Sequence, residues 1–260
     1  MASHLIAPGE LARRIDENLF ETFRLLARNA PQGEIRESNG LLLVATGAPV
    51  AMFNIAYVTR PLANPKAAID DACNFFDARR LPFVLRVPEN SDKHTERAAE
   101  GAGLRFTDAV PGMVLEDIGP RGTFLEHITI RRVQGSSVAD HTHVVADSFG
   151  MPREIADMFV SEQLGEEPDF ELYVGYHGDR PVASSALSTG HRVAGVYNVG
   201  TIPEYRNRGL GEAMTWHAIR QGALAGCLIA SLQASEMGEP IYRRMGFRTT
   251  THYRTFTRPE

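Results

Sequence analysis

The chain has 260 residues, 43 % of them hydrophobic and 23 % charged, close to soluble globular averages, which excludes a disordered, collagen-like or disulfide-scaffold protein. Its 27 basic residues against 32 acidic give a formal charge of −5, so no broad electrostatic grip on nucleic acid or anionic lipid is expected. One large domain or two small ones fit this length.

The first ten residues, Met1 to Glu10, lack the basic start and apolar run of a secretory signal, and no stretch is apolar for long enough to span a membrane. From Pro8 to Asn29, Leu11, Ile15, Leu19, Phe23 and Leu26 recur at spacings of three and four, which predicts an amphipathic helix. Leu41–Ala45 and Val50–Val58, separated by Thr46-Gly47-Ala48-Pro49, predict a hairpin. Ala67–Arg79 reads as helix, Phe83–Val87 as strand and Lys93–Ala102 as helix, while Leu104–Phe106 and Gly112–Leu115 read as two closing strands. Residues Asp117 to Thr123 carry Gly119, Pro120 and Gly122 and are expected to be a linker.

After it, His127–Val133 alternates as a strand, and Val138–Phe149 and Pro152–Leu164 read as helices, the second with Pro152 suited to its first turn. Leu172–Tyr176, Val182–Leu187 and Val193–Ile202, separated by glycine-bearing turns, predict an antiparallel meander. A helix from Gly209 to Ala225, a buried run Leu228–Leu232, a short helix Glu239–Met245 and strands around Phe247 and Tyr253–Phe256 complete the chain. The order of elements after Leu41 echoes that after Leu172. The expected fold class is therefore α+β with a duplicated architecture, in units 1–118 and 125–260, or alternatively one elongated α+β domain.

Cys73 and Cys227 stand far apart, with no Cys-x-x-Cys and no dense Cys/His cluster, so neither a disulfide framework nor a structural zinc site is expected and a reducing cytoplasm fits best. His141 and His143 lie two apart on a predicted helix, a spacing that does not place them on one face as metal ligands.

The chemistry concentrates at one strand-to-helix junction. Arg206-Asn207-Arg208-Gly209-Leu210-Gly211 follows an apolar strand and opens a helix, where glycines permit a tight turn that aims several backbone N–H groups into one concavity. Such a nest at a helix N-terminus suits a pyrophosphate. It is neither a P-loop, which needs Gly-Lys-Ser/Thr, nor a dinucleotide fingerprint, since Met214 stands where a third glycine or alanine is needed.

Val199–Gly211, then Ala234-Ser235, then Ile241-Tyr242 through Gly246-Phe247 resemble the acyl-CoA-binding core of the GNAT superfamily of N-acetyltransferases. The resemblance is specific over about residues 193–248, holds in outline over 125–260 and is topological only over 1–118. It implies tandem GNAT-like mixed β-sheet domains flanked by helices: a degenerate first unit without the CoA motif and a catalytic second unit. It further implies that the amides of Arg206, Asn207, Arg208, Gly209, Leu210 and Gly211 hold the pyrophosphate of acetyl-CoA, with the Arg206 and Arg208 side chains adding charge at the rim. Val199 and Thr201 would pair with the pantetheine arm through their backbones, with Gly200 easing a bulge that splays the strand. Ser235, where the family often has asparagine, would touch the cofactor, and Tyr242 would act as the general acid.

For the general base Tyr197, Asn198, Glu204 and His191 stay open. The implied activity is transfer of an acetyl group from acetyl-CoA to a primary amine on a small molecule or peptide by direct attack; a noncatalytic acyl-CoA sensor or scaffold is the alternative. No nucleic-acid, membrane or metal partner is expected, and oligomeric state is not readable.

Overall fold

The computed structural model describes residues 8–119, 121–122 and 125–259. Pro120 and Thr123 of the expected linker, and Met1 to Ala7, lie outside the described residues. No described helix is long and apolar enough to cross a membrane.

The first helix, α1 (Pro8–Arg28), is followed by strands β1 (Glu34–Ser38), β2 (Leu41–Ala45) and β3 (Asn54–Val58). Then come α2 (Pro65–Asp77), β4 (Val84–Pro88), α3 (Lys93–Gly101) and β5 (Arg105–Leu115). The second half runs β6 (Ile128–Val133), α4 (Val138–Phe149), α5 (Arg153–Asp157), α6 (Glu162–Gly165), β7 (Phe170–His177), β8 (Arg180–Ser188) and β9 (Val193–Thr201). It ends with α7 (Leu210–Leu224), β10 (Ile229–Gln233), α8 (Glu239–Met245) and β11 (Arg248–Thr257).

All eleven strands join one mixed sheet in the order β1-β2-β3-β4-β11-β5-β10-β9-β8-β7-β6. The architecture is α+β, a large mixed sheet flanked by helices, as the sequence leads one to expect. Its seam departs from a simple side-by-side arrangement. The last strand of each half crosses over: β11 lies between β4 and β5, and β5 lies between β11 and β10. The cores follow the strands. Met113 and Leu115 of β5 pack with Met214, Trp216 and Leu232 of the second half, whereas Phe256 of β11 packs with Phe76, Leu85 and Leu104 of the first.

Several elements differ from the sequence reading. Leu104–Phe106 and Gly112–Leu115 fall in one strand running through Pro111, whose carbonyl accepts from Ala234 N at 3.0 Å. Phe247 and Tyr253–Phe256 likewise belong to a single closing stretch, its strand running from Arg248 to Thr257. The expected helix Pro152–Leu164 breaks in two, because the Ser161 hydroxyl donates to the Asn29 carbonyl at 3.0 Å while accepting from Leu164 N as a new N-cap. β1 carries a single apolar residue, Ile35, in a charged edge strand, so it has no apolar pattern to read.

Packing at the seam rests on α1. Leu11 and Ile15 join Val114, Val193 and Ile229, while Leu19, Phe20 and Ala27 face Leu42, Val44, Tyr57 and Tyr253. One stripe of the helix thereby covers strands from both halves. Phe53 stacks on Phe159 with ring centroids 3.9 Å apart, adding an aromatic contact between them.

Candidate active site

β9 and β10 run parallel and pair only at Val193–Ile229, Ala194–Ala230 and Gly195–Ser231. Beyond Gly195 they part: β9 stays with β8 through Tyr197, Gly200 and Thr201, and β10 stays with β5 through Gln233. The strands therefore form a V, open toward their C-terminal ends.

A bulge sharpens the V. The β8–β9 register shifts between Ser184 and Ala186, opposite Asn198 and Val199. Asn198 carries the positive φ of 50°, a conformation asparagine tolerates better than most residues. The Ser184 hydroxyl locks it by donating to the Asn198 carbonyl at 2.8 Å. The strain is thus not taken by Gly200. Gly200 is glycine for another reason: a Cβ there would lie 2.8 Å from the Ser148 Cβ on α4.

Asn18 on α1 anchors the start of this strand. Fully buried, its Nδ2 donates to the carbonyls of Ser188, Gly190 and Val193 at 3.0–3.3 Å, and its Oδ1 accepts the Tyr197 hydroxyl at 3.1 Å. A Cβ on Gly195 would fall 2.1 Å from that oxygen. Sequence reasoning assigned Asn18 no role. Its one local signal is a polar residue on the apolar stripe of an otherwise ordinary amphipathic helix.

The entrance to α7 sits at the open end of the V. Asn207 and Gly209 take φ of 60° and 78°, so the backbone is left-handed at two of the three residues just before the helix begins. The first intrahelical bond shown at the junction runs from Ala213 N to the Gly209 carbonyl at 3.0 Å. The amides of Leu210 and Gly211 precede it and have no intrahelical acceptor, so they are free to point at an anion. Gly211 faces the bulge: a Cβ there would lie 3.9 Å from Val199 Cγ1. Val199, Thr201 and the Asn207–Gly211 turn are thereby gathered at one place, with Thr201 ending β9 and its carbonyl accepting from Arg206 Nε at 3.3 Å.

The arginine side chains serve that turn. Arg206 Nη2 donates to the Ser148 carbonyl at 2.9 Å, and Arg208 Nη2 donates to the Glu204 carbonyl at 3.0 Å while its guanidinium lies 4.9 Å from the Tyr205 ring centre. Both are exposed. Ser235 is exposed too, and its hydroxyl accepts from Gly238 N at 3.2 Å, shaping the turn into α8.

Tyr242 stands on α8 beside α7, its ring 5.8 Å from that of Phe247. Burial pushes its phenol up to about 12, with the Thr215 hydroxyl pulling weakly the other way. That hydroxyl donates to the Gly211 carbonyl at 2.8 Å, which places the phenol one helical turn from the amide cradle. Of the base candidates, Tyr197 is half-buried, and desolvation holds its phenol well above the ordinary range. Glu204 lies exposed, 3.8 Å from Arg180, and His191 pairs with Glu17 of α1 at 3.1 Å, at the closed end of the V. Asn198 lines a cavity of about 180 Å³ that lies between the halves, with Tyr57 and Arg86 on one side and Phe159, Tyr197 and Gln233 on the other.

His141 is fully buried, donating from Nδ1 to the Tyr173 carbonyl at 3.1 Å, whereas His143 is exposed near Asp147. Both cysteines are free and buried.

Residues 139–234 match the model of the acetyltransferase (GNAT) domain. The likeness to that family in sequence is carried by this span. The match covers the meander, the splay and the cradle and stops before Tyr242. Solved structures with the GNAT fold superpose on most of the chain. A GCN5-related N-acetyltransferase from Kribbella flavida superposes with a TM-score of 0.72 at 18 % identity, covering 95 % of each chain. One from Sphaerobacter thermophilus gives 0.64 at 18 %, over 85 % of this chain and 82 % of that one. A tandem GNAT protein from the clavulanic acid biosynthesis pathway gives 0.60 at 13 %, over 96 % of both. No curated protein matches the sequence significantly.

Proposed function

We propose that the protein is an acyl-CoA-dependent N-acyltransferase, most simply one that moves an acetyl group from acetyl-CoA to a primary amine. One observation carries this reading: the β9–β10 splay and the unpaired amides at the start of α7 lie at the same end of the sheet, joined by the Val199–Gly211 contact. A glycine-entered helix alone binds anions; an open V beside it also receives an extended arm as a further strand.

Acetyl-CoA fits this arrangement and brings an activated thioester. The amides from Arg206 to Gly211 would hold its pyrophosphate, and the backbones of Val199 and Thr201 its pantetheine arm. Ser235 would stand beside it. Tyr242, still protonated at any physiological pH, would donate a proton to the departing sulfur. Direct attack is favoured over a cysteine relay because both thiols are buried and pushed up by that burial, Cys227 to about 11, whereas a nucleophilic cysteine must ionise.

Among the described residues the cavity lining holds no carboxylate or imidazole. The amine would therefore shed its proton to water before it attacks, and kcat/KM should rise with pH until the amine's own pKa is passed. We read 1–118 as a unit without a CoA site that forms one wall of the acceptor cavity, and 125–260 as the catalytic unit.

The test is release of free thiol from acetyl-CoA across a panel of primary amines. Gly209→Trp should abolish it, by filling the cradle and forcing a bulky residue into left-handed backbone. Absence of acetyl-CoA binding by calorimetry would overturn the proposal, and binding without turnover of any amine would replace it with a sensor or scaffold.

A further inference from the structure

The cavity between the halves contains two buried donors with nothing to donate to. Arg86 Nε and Gln233 Nε2 are both out of contact with water and have no hydrogen-bond partner among the described residues. Both line the same cavity. A buried donor left unpaired costs on the order of 1–3 kcal/mol, more when it is charged, and the Arg86 guanidinium, in the cavity wall with no hydrogen-bond or ion-pair partner among the described residues, is the group an acceptor entering the cavity would meet.

The charge identifies that acceptor. Arg86 lies on β4, in register with Tyr57 on β3 and Thr255 on β11. No carboxylate lies within ion-pair distance of its guanidinium among the described residues. The carboxyl of Asp16, the acidic group that meets this wall from α1, accepts the Tyr253 hydroxyl instead. The rest of the lining is neutral: phenols, aliphatic and phenyl groups, the Met52 thioether, the Thr22 hydroxyl, and the Asn198 and Gln233 amides. An unpaired guanidinium in an otherwise neutral pocket selects a planar anion that it can grip with two N–H groups.

We infer that the acceptor is an amino carboxylate, held at Arg86 by its carboxylate with its amine directed past Gln233 toward the β9–β10 gap. This rests on the transferase reading for the role of the amine, and on the cavity alone for the carboxylate. Sheet order sets the spacing. β4 and β10 are three strands apart, or about 14 Å at ~4.8 Å per strand. The β9–β10 gap lies beyond β10 again, so an α-amino acid held at Arg86 would leave its amine short of that gap even with the reach of the arginine side chain. The class is one whose amine and carboxylate are several bonds apart, as in ω-amino acids.

Calorimetry on the full-length protein tests this without requiring turnover. The probes are 4-aminobutyrate, 5-aminovalerate and 6-aminohexanoate, each beside its carboxamide. At least one acid should bind about tenfold or more tightly than its amide. Arg86→Gln should erase that preference, and Arg86→Lys should retain part of it. Equal affinity for acid and amide, no heat with any acid, or an unchanged preference in Arg86→Gln would each overturn the inference. The comparison in the unaltered protein decides the matter even if a variant fails to fold. Titration with acetyl-CoA runs alongside: its failure to bind would sink the transferase reading and leave the acid-against-amide result standing.

Discussion

At the residue scale, Tyr242 and His141 are both shifted by burial, with different consequences. Tyr242→Phe removes a proton donor while keeping the ring against Phe247, so kcat should fall by about 10²-fold or more with the affinity for acetyl-CoA unchanged. Steady-state and binding measurements on the one variant separate the two. Because the phenol ionises only near 12, the unaltered enzyme should show no alkaline loss of rate from this group below that pH. His141 is pushed down to about 4 by burial, from an ordinary value of 6.5. The unfolded chain takes up a proton near pH 6.5 and the native one does not until about pH 4. Stability is therefore full above pH 6.5 and drains as pH falls to 4, by roughly 3 kcal/mol from this group. His217, pushed down to about 4 by burial and by Arg220, acts in the same window. Urea titrations at pH 7 and pH 4.5 should reveal the slope, and His141→Gln should flatten it.

At the scale of elements, α1 and α7 hold β9 from opposite sides of the sheet. Asn18 satisfies three carbonyls at the closed end of the V, where β9 begins and still pairs with β10. Asn18→Leu would strand those carbonyls and should cost about 2–3 kcal/mol, seen as a lower denaturation midpoint with the slope retained. On the other face, Gly222 lets α7 lie close to the strand: a Cβ there would fall 2.4 Å from the Ala194 Cβ. Gly222→Val should lift the helix, displace its N-terminal cradle and weaken acetyl-CoA binding although residue 222 lies more than three turns from that cradle.

For the whole molecule, the exchanged strands tie the halves together. β11 pairs only with β4 and β5, and both belong to the first 118 residues. Residues 125–260 produced alone would therefore present β10 and β11 with unpaired edges and leave Phe256 and Tyr253 uncovered. Such a fragment should be insoluble or fail to bind acetyl-CoA, as judged by sedimentation and calorimetry. Co-expression with residues 1–118 should restore a soluble complex. A monomeric, CoA-binding fragment would contradict this dependence.

The sequence by itself determined what is local. The Arg206–Gly211 turn was legible because its positive φ values, its glycines and the helix start occupy six adjacent residues, and local backbone geometry is chosen by local side chains. The meander of β7, β8 and β9 was legible from alternation and turn residues alone, for the same reason. What only the tertiary structure decided is which distant strands meet. The backbone edge of β11 would hydrogen-bond as well to β10 as to β4, and nothing within residues 248–257 states the choice; it is settled by where Phe256 and Tyr253 find a core. Arg86 reads in the sequence as one more basic residue in a short strand. It becomes a half-buried, unpaired cation lining one cavity with Gln233 and Asn198, more than a hundred residues away, only when β11 and β5 are laid between the halves, because burial and charge isolation belong to the assembled sheet and not to any segment of the chain.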